Sequence, residues 1–370
     1  MRKATCLAGL LVAVACCGCD SAKQNPAGAA ATDADVSSGE LKRIILLTNG
    51  NSPYWDTARA GLQAAEKELG LAEAGLRAVV EVNGESTPRG QIDKLRQFAS
   101  QSDIAAVGVS VTDAANAAIA DEMRKLREQG IVVITVDSDI DRESLSDARF
   151  AFVGTDNLIA GRELGAAVKH LRPDGGKYVT FVGRTGAQNA IERIGGFVEG
   201  AGESFQSLDN MGDENDPTRA RDNVRNAITN HPDLNVLVGI WSYNAPAIAD
   251  VVQQLDRKDD FTVAVFDAEP LAVDYMEQGM IDVMLVQNPF EMGYQGVRLM
   301  KALVEKDEAT LQDLLPKHGE EGGDLYDTGL KVIVPDNDSP LEAGQFGPST
   351  QFLKLGEFRQ WLAKYGLQGS

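Results

Sequence analysis

Beyond about residue 40, short apolar runs alternate with longer stretches whose apolar residues recur every three or four positions. Residues 44–47 form a continuous apolar run, the pattern of a strand buried on both faces. From about 54 to 69, Ala58, Leu62, Ala65 and Leu69 share one face of a helix. The same reading predicts further strands at 79–82, 104–109, 131–136, 150–153, 178–182, 236–240, 262–266 and 283–286. It predicts helices at 88–100, 114–129, 160–171, 190–203, 218–230, 245–255 and 292–304, with Gly130 at a left-handed cap. The stretch 306–327 is mostly polar and reads as a long loop or crossover, followed by a last strand at 330–334. Past Pro335 the sequence is irregular until a helix at 355–365.

Repeated βα units imply an α/β fold of parallel sheets covered by helices on both faces. About ten strands exceed one ordinary sheet, so the pattern predicts two doubly wound parallel sheets. Ligands of such sheets sit off the carboxyl ends of the strands. The residues just after each strand are therefore the candidates for chemistry.

The first 40 residues follow another pattern. Arg2 and Lys3 precede an apolar run over 7–17. That run has about ten apolar residues, whereas a membrane-spanning helix needs roughly 20, so it reads as an export signal. It ends in Ala15-Cys16-Cys17-Gly18-Cys19, which resembles a bacterial lipobox. Cys19, with a small residue before it and a polar tail after it, is the expected lipidated residue, and Cys16 is the alternative. Residues 20–40 are mostly small and polar, too poor in apolar side chains to order themselves, and read as a flexible tether.

Composition narrows the chemistry. All four cysteines, Cys6, Cys16, Cys17 and Cys19, lie in that leader. The body of the chain thus has neither a disulfide framework nor a thiol nucleophile. The three histidines, His170, His231 and His318, have no metal-type spacing, and neither a metal nor a cofactor is expected. A formal net charge of -20, from 55 acidic and 35 basic residues, argues against a nucleic-acid partner.

The strand-end positions carry a consistent set. Asn51, Ser52, Tyr54 and Trp55 follow the first strand, and Asp137 follows the fourth. In the second half come Arg193, Trp241 with Ser242, Asp267 and Gln287. Each residue alone has a plain structural use: Asp after a strand can cap a helix, and Trp can fill a core. Together they suit a sugar. Asp, Asn, Gln and Arg can pair with neighbouring hydroxyls, and Tyr or Trp rings pack against CH faces.

Ordered along the chain, Asn51-Ser52-Pro53-Tyr54-Trp55, the run 131–137 ending in Asp137, Arg193-Ile194-Gly195-Gly196-Phe197, His231-Pro232-Asp233, Phe266-Asp267 and Val286-Gln287-Asn288-Pro289 form a recognisable series. The sequence resembles the type I periplasmic binding proteins of the ribose, xylose and galactose class, the receptors of ABC sugar importers. The resemblance spans roughly residues 41–334. It implies that Ser52 bonds the sugar, that Tyr54 and Trp55 stack on it, and that Asp137, Arg193, Asp267 and Gln287 hold its hydroxyls. Three departures count against ribose: Ser138 stands where a second Arg is common, Asn215 near an aromatic position, and Ser242 where Asn is common. Trp241 is expected to compensate for Asn215.

The resemblance also implies three chain crossings that form a hinge. Its division is a signal at 1–19, a tether at 20–40, a first lobe of 41–153 plus 288–327, a second lobe of 154–287 plus 328–334, and a tail at 335–370. The implied partners are a small sugar or polyol and an ABC permease, for a monomer anchored by lipid on the periplasmic or outer face. A sensory receptor serving a membrane kinase or chemoreceptor is the alternative.

Other readings fail on particular residues. Asp137-Ser138-Asp139-Ile140-Asp141 opens like a calcium loop, but Arg142 replaces the turn Gly and Ala148 the bidentate Glu. Gly183-Arg184-Thr185-Gly186 lacks the Gly-Lys-Ser/Thr ending of a phosphate loop and reads as a turn bordering the cleft. A Gly-x-Ser-x-Gly elbow is absent. Asp137 and Asp267 could be paired as in a glycosidase, but the resemblance makes them acceptors for a reversible ligand. Repressors that share the fold carry a DNA-binding headpiece where this chain has a signal and tether. The chain is therefore not expected to be an enzyme.

Overall fold

The computed structural model describes residues 41–370. The proposed signal, the lipidation site at Cys19 or Cys16, and the tether lie outside the described residues.

The first run of elements is β1 (Lys42–Leu47), α1 (Tyr54–Glu68), β2 (Leu76–Glu81), α2 (Pro88–Ala99), β3 (Ile104–Val109), α3 (Ala117–Glu128), β4 (Val132–Val136) and β5 (Phe152–Gly154). The second is α4 (Asn157–Leu171), β6 (Gly176–Val182), α5 (Gln188–Ala201), β7 (Phe205–Gly212), α6 (Pro217–Asn230), β8 (Val236–Gly239), α7 (Asn244–Gln254), β9 (Thr262–Phe266), α8 (Pro270–Glu277) and β10 (Val283–Val286). Then come α9 (Pro289–Glu305), α10 (Glu308–Leu314), β11 (Leu325–Asp327), β12 (Leu330–Val334), β13 (Thr350–Lys354) and α11 (Leu355–Lys364).

These strands form two sheets, ordered β11-β5-β4-β3-β1-β2 and β13-β12-β10-β9-β8-β6-β7. Each sheet has buried apolar clusters on its two faces, which is why β3, β10 and, past Thr262, β9 are apolar and all three are buried at every position. Several helices begin on side-chain caps: Thr87, Asn116, Asp156 and Asp216 each accept a backbone N–H of the first turn. The chain passes between the sheets after β5, after β10 and between β11 and β12.

Three expectations need correction. The second sheet is not wholly parallel, because β12 runs antiparallel to β10. β11 is parallel to β5 in the first sheet, and only Thr328 and Gly329 separate it from β12. The chain therefore enters the second sheet at the end where the other strands leave it. The stretch 306–327 is not one loop, since it holds α10 and β11. The segment past Pro335 is not irregular up to its helix, since β13 pairs in parallel with β12 and extends the second sheet.

Candidate ligand-binding site

The carboxyl ends of both sets of parallel strands converge on a cavity of ≈ 320 Å³. All ten sequence-selected residues line it: Asn51, Ser52, Tyr54, Trp55, Asp137, Arg193, Trp241, Ser242, Asp267 and Gln287.

Two aspartates occupy matching positions, Asp137 just after β4 and Asp267 just after β9. Both have left-handed backbone, with φ of 67° and 62°. Asp tolerates that region better than most residues, but it is still strained, and such strain collects at functional sites. Asp137 is held by hydroxyls: Tyr54 donates to Oδ1 at 2.8 Å and Ser110 to Oδ2 at 2.9 Å. Burial raises its pKa above the ordinary carboxylate value, and the nearby Arg193 together with the two hydroxyls opposes that rise. The same burial, with the Asp137 charge beside it, pushes the Tyr54 hydroxyl well above its usual range.

Asp267 accepts from the Gln287 amide at 3.0 and 3.2 Å, and Arg193 Nη1 lies 3.9 Å from its Oδ2. Burial pushes the Asp267 carboxyl up to about 6, against the pull of Arg193 and Gln287. Arg193 is 1 % exposed. Its Nε donates to Asn157 Oδ1 at 2.9 Å and its Nη1 to the Ile240 carbonyl at 3.0 Å, while its guanidinium lies over the Phe266 ring. Arg193 Nη2 and Gln287 Oε1 are buried with no partner. One donor and one acceptor thus remain for a polar ligand, since buried polar groups are costly unless bonded.

The aromatic residues differ in their surroundings. Tyr54 and Trp55 are buried in the first lobe's core and meet edge to face, with centroids 5.2 Å apart. Trp241 is partly exposed, and its Nε1 donates to Asn189 Oδ1 at 3.2 Å. A Cβ on Gly183 would lie 2.3 Å from the Trp241 ring and 2.4 Å from Asn215 Oδ1. Only glycine leaves room there, and Trp241 accordingly lies beside Asn215 at the cavity wall.

Sequence reasoning missed several lining residues, among them Ser86, Asn189, Tyr243 and Glu269, while Arg184 lies in the turn expected to border the cleft. Two of these lining residues bridge the cleft. Glu269 Oε1 accepts from Ser52 at 3.2 Å and from Ser242 at 2.8 Å, and Arg184 Nη2 donates to the Ser86 carbonyl at 2.9 Å. Glu269 stands two residues past Asp267, within the same strand end, so its position carried a signal. Tyr243 is fixed by its hydroxyl donating to the buried Asp213. The supposed calcium residue Asp139 instead pairs with Arg149 at 2.7 Å and Arg142 at 2.9 Å. Among the described residues no cluster of His, Cys, Asp or Glu could hold a metal ion, and no helix is long and apolar enough to cross a membrane.

Two α/β lobes with a cavity of polar and aromatic side chains at their strand ends suit the binding of a small molecule, and the sequence agrees. Residues 44–308 match the family described as periplasmic binding protein domain. The chain belongs to this family. It is a family of binding proteins rather than enzymes, and the fold is the type I form. The ribose import binding protein RbsB of Salmonella typhimurium is 21% identical over 317 residues, covering 83% of this chain and 96% of that protein. Among solved structures, an ABC transporter solute-binding protein of Burkholderia graminis in complex with D-arabinose superposes with a TM-score of 0.68. It is 24% identical and covers 80% of this chain and 96% of its own. A XylFII–LytSN complex gives a TM-score of 0.64 at 22% identity, covering 72% of this chain and 94% of the matched one.

Proposed function

We propose that this protein is the substrate-binding component of an ABC importer, which takes a monosaccharide or related polyol into the cleft and delivers it to a membrane permease. The observation that carries this reading is the pairing of Asp137 and Asp267 across one cavity, with Arg193 Nη2 and Gln287 Oε1 still unpartnered. A sugar hydroxyl both donates and accepts, so one ligand can meet the carboxylates, the guanidinium and the amide together. The cavity falls at the small end of the roughly 300–1,000 Å³ typical of ligand pockets, which suits one sugar unit. The names of the ribose-binding relative and the D-arabinose-bound neighbour support the same class.

In this reading Ser52, Asn51 and Ser242 contact hydroxyls, and Tyr54, Trp55 and Trp241 pack on the CH faces. The first lobe comprises 41–153 plus 288–327 and the second 154–287 plus 328–334. Closure about the three crossings buries the ligand, which favours the closed state only by its greater affinity for it. The protein acts as an exported monomer held to the membrane through Cys19.

Calorimetry and thermal shift with pentoses, hexoses and sugar alcohols test the binding. At least one is expected to bind at micromolar affinity or better, and a flat response across the panel removes the sugar assignment. Palmitate labelling that survives Cys19→Ser removes the assignment to Cys19 and points to Cys16; absence of label in the unmodified chain removes the anchor. A second reading, presentation of the bound sugar to a membrane kinase, is favoured by the likeness to a XylFII–LytSN complex. Co-purification with a sensor kinase rather than a permease would select it.

A further inference from the structure

Segment 365–370 leaves α11 and returns to the cleft. Ser370 pairs with Ala268 through two backbone hydrogen bonds, Ala268 N–H to Ser370 O at 2.7 Å and Ser370 N–H to Ala268 O at 2.8 Å. Ala268 is the buried residue between Asp267 and Glu269, both of which line the cavity. The fit is close: a Cβ on Gly369 would lie 2.5 Å from the Ala268 carbonyl and 2.7 Å from the Pro270 ring.

The same segment reaches the other lobe. Thr57 of α1 donates its hydroxyl to the Gly369 carbonyl at 3.1 Å. The Tyr365 ring packs on Phe290, at the start of α9, with centroids 4.5 Å apart. Both α1 and α9 pack with the first sheet. Pro53, Tyr54 and Glu269 separate this segment from the ligand cavity and touch the space on both sides.

We infer that residues 365–370 form a strap that positions the Asp267–Glu269 turn for the ligand and ties it to the first lobe, so that opening of the cleft must break the strap's contacts. The ligand half of this inference rests on the function proposed above, and the lobe-tying half does not. The strap adds a further non-covalent link, beside the Ser52–Glu269 and Arg184–Ser86 bonds, to the three chain crossings. Its residues do not line the ligand cavity, so they act through Ala268 on its neighbours.

The test uses Gly369→Val, which wedges the strap away from Ala268 and Pro270, and Tyr365→Ala, which removes only the ring contact, each in the full chain. The first readout is the radius of gyration of the ligand-free protein by solution scattering. It is expected to rise in Gly369→Val and, by less, in Tyr365→Ala. The second is sugar exchange followed by tryptophan fluorescence, with D-ribose, D-arabinose and D-allose as probes. Dissociation is expected to quicken about tenfold in Gly369→Val while association stays within about twofold, the scale of one or two lost hydrogen bonds. An unchanged radius in both variants, or a tenfold loss carried by association, overturns the strap. Should none of the three sugars bind the unmodified protein, the scattering arm still decides the strap, and the exchange arm uses whichever member of the pentose, hexose and sugar-alcohol panel binds; a flat panel removes the sugar reading alone. Should Gly369→Val fail to fold, Tyr365→Ala carries the same test.

Discussion

The two lobes each present an aspartate in left-handed backbone at a strand end, yet they hold it in different ways. Asp137 is held at both oxygens from within its own lobe, by the hydroxyls of Tyr54 and Ser110. Asp267 faces an amide and a guanidinium that have bonding capacity to spare, and its pKa is pushed to about 6. One carboxylate is fixed before any ligand arrives, while the other is unfinished. The first lobe thus supplies a rigid reference and the second supplies the groups whose bonding a ligand completes, which is where differential affinity for closure can arise.

The contrast is broken most severely at Arg193. Arg193→Ala leaves Asp267 buried without its counter-charge and orphans Asn157 Oδ1 and the Ile240 carbonyl. Removing one partner of a buried pair costs about 3–5 kcal/mol, so sugar affinity should fall by about a hundredfold or more and the melting temperature should drop. Next in size is the difference between the aspartates themselves. Asp137→Ala strips two buried hydroxyls of their acceptor and should destabilise the fold by about 2–4 kcal/mol in denaturant titration. Asp267→Asn removes a penalised charge and should leave stability at pH 7 unchanged or higher while weakening sugar binding about tenfold. Equal stability losses in the two variants would show that the lobes do not differ in this way.

A pH series sharpens the same point. A sugar hydroxyl that donates to Asp267 needs the carboxylate, so affinity should fall about tenfold from pH 7 to pH 5 as the group titrates near 6, and Asp267→Asn should abolish that dependence. Folding stability responds to this group in the opposite sense. The folded chain binds the proton more tightly than the unfolded chain, whose value is near 3.8, so its contribution grows as pH falls from about 6 towards about 4. The smallest effect is expected at Gly183→Ala. The added methyl displaces Trp241 and should weaken binding about fivefold by calorimetry, the scale of one aromatic contact.

The sequence announced what is buried and concealed three of the four edge strands; the edge strand β2 showed through its Val79-Val80 pair. Strands β3, β9 and β10 read as apolar runs because helices cover both of their faces. β7, with the sequence Phe-Gln-Ser-Leu-Asp-Asn-Met-Gly, sits at the edge of its sheet and is largely exposed, so no periodic signal marks it. β11 has three residues, too few for any pattern, and β13 is polar for the same reason as β7. At the site, residues placed directly at strand ends were legible because topology alone puts them in the cleft. Asn189 and Tyr243 were not, since they reach the cavity from helix starts whose direction the sequence does not encode locally. Tyr54 was expected to stack on a ligand. Its hydroxyl bond to Asp137 gives it a positioning task that no motif displays.

The order in which strands join the sheets bears on how the molecule comes apart. The first sheet is incomplete until β11 at Leu325–Asp327, and the second until β13 at Thr350–Lys354. Neither lobe can finish its edge while the chain is only partly made, and neither can shed it without pulling on the β11–β12 link that joins both. The two lobes are therefore expected to melt as one, in a single cooperative denaturation step.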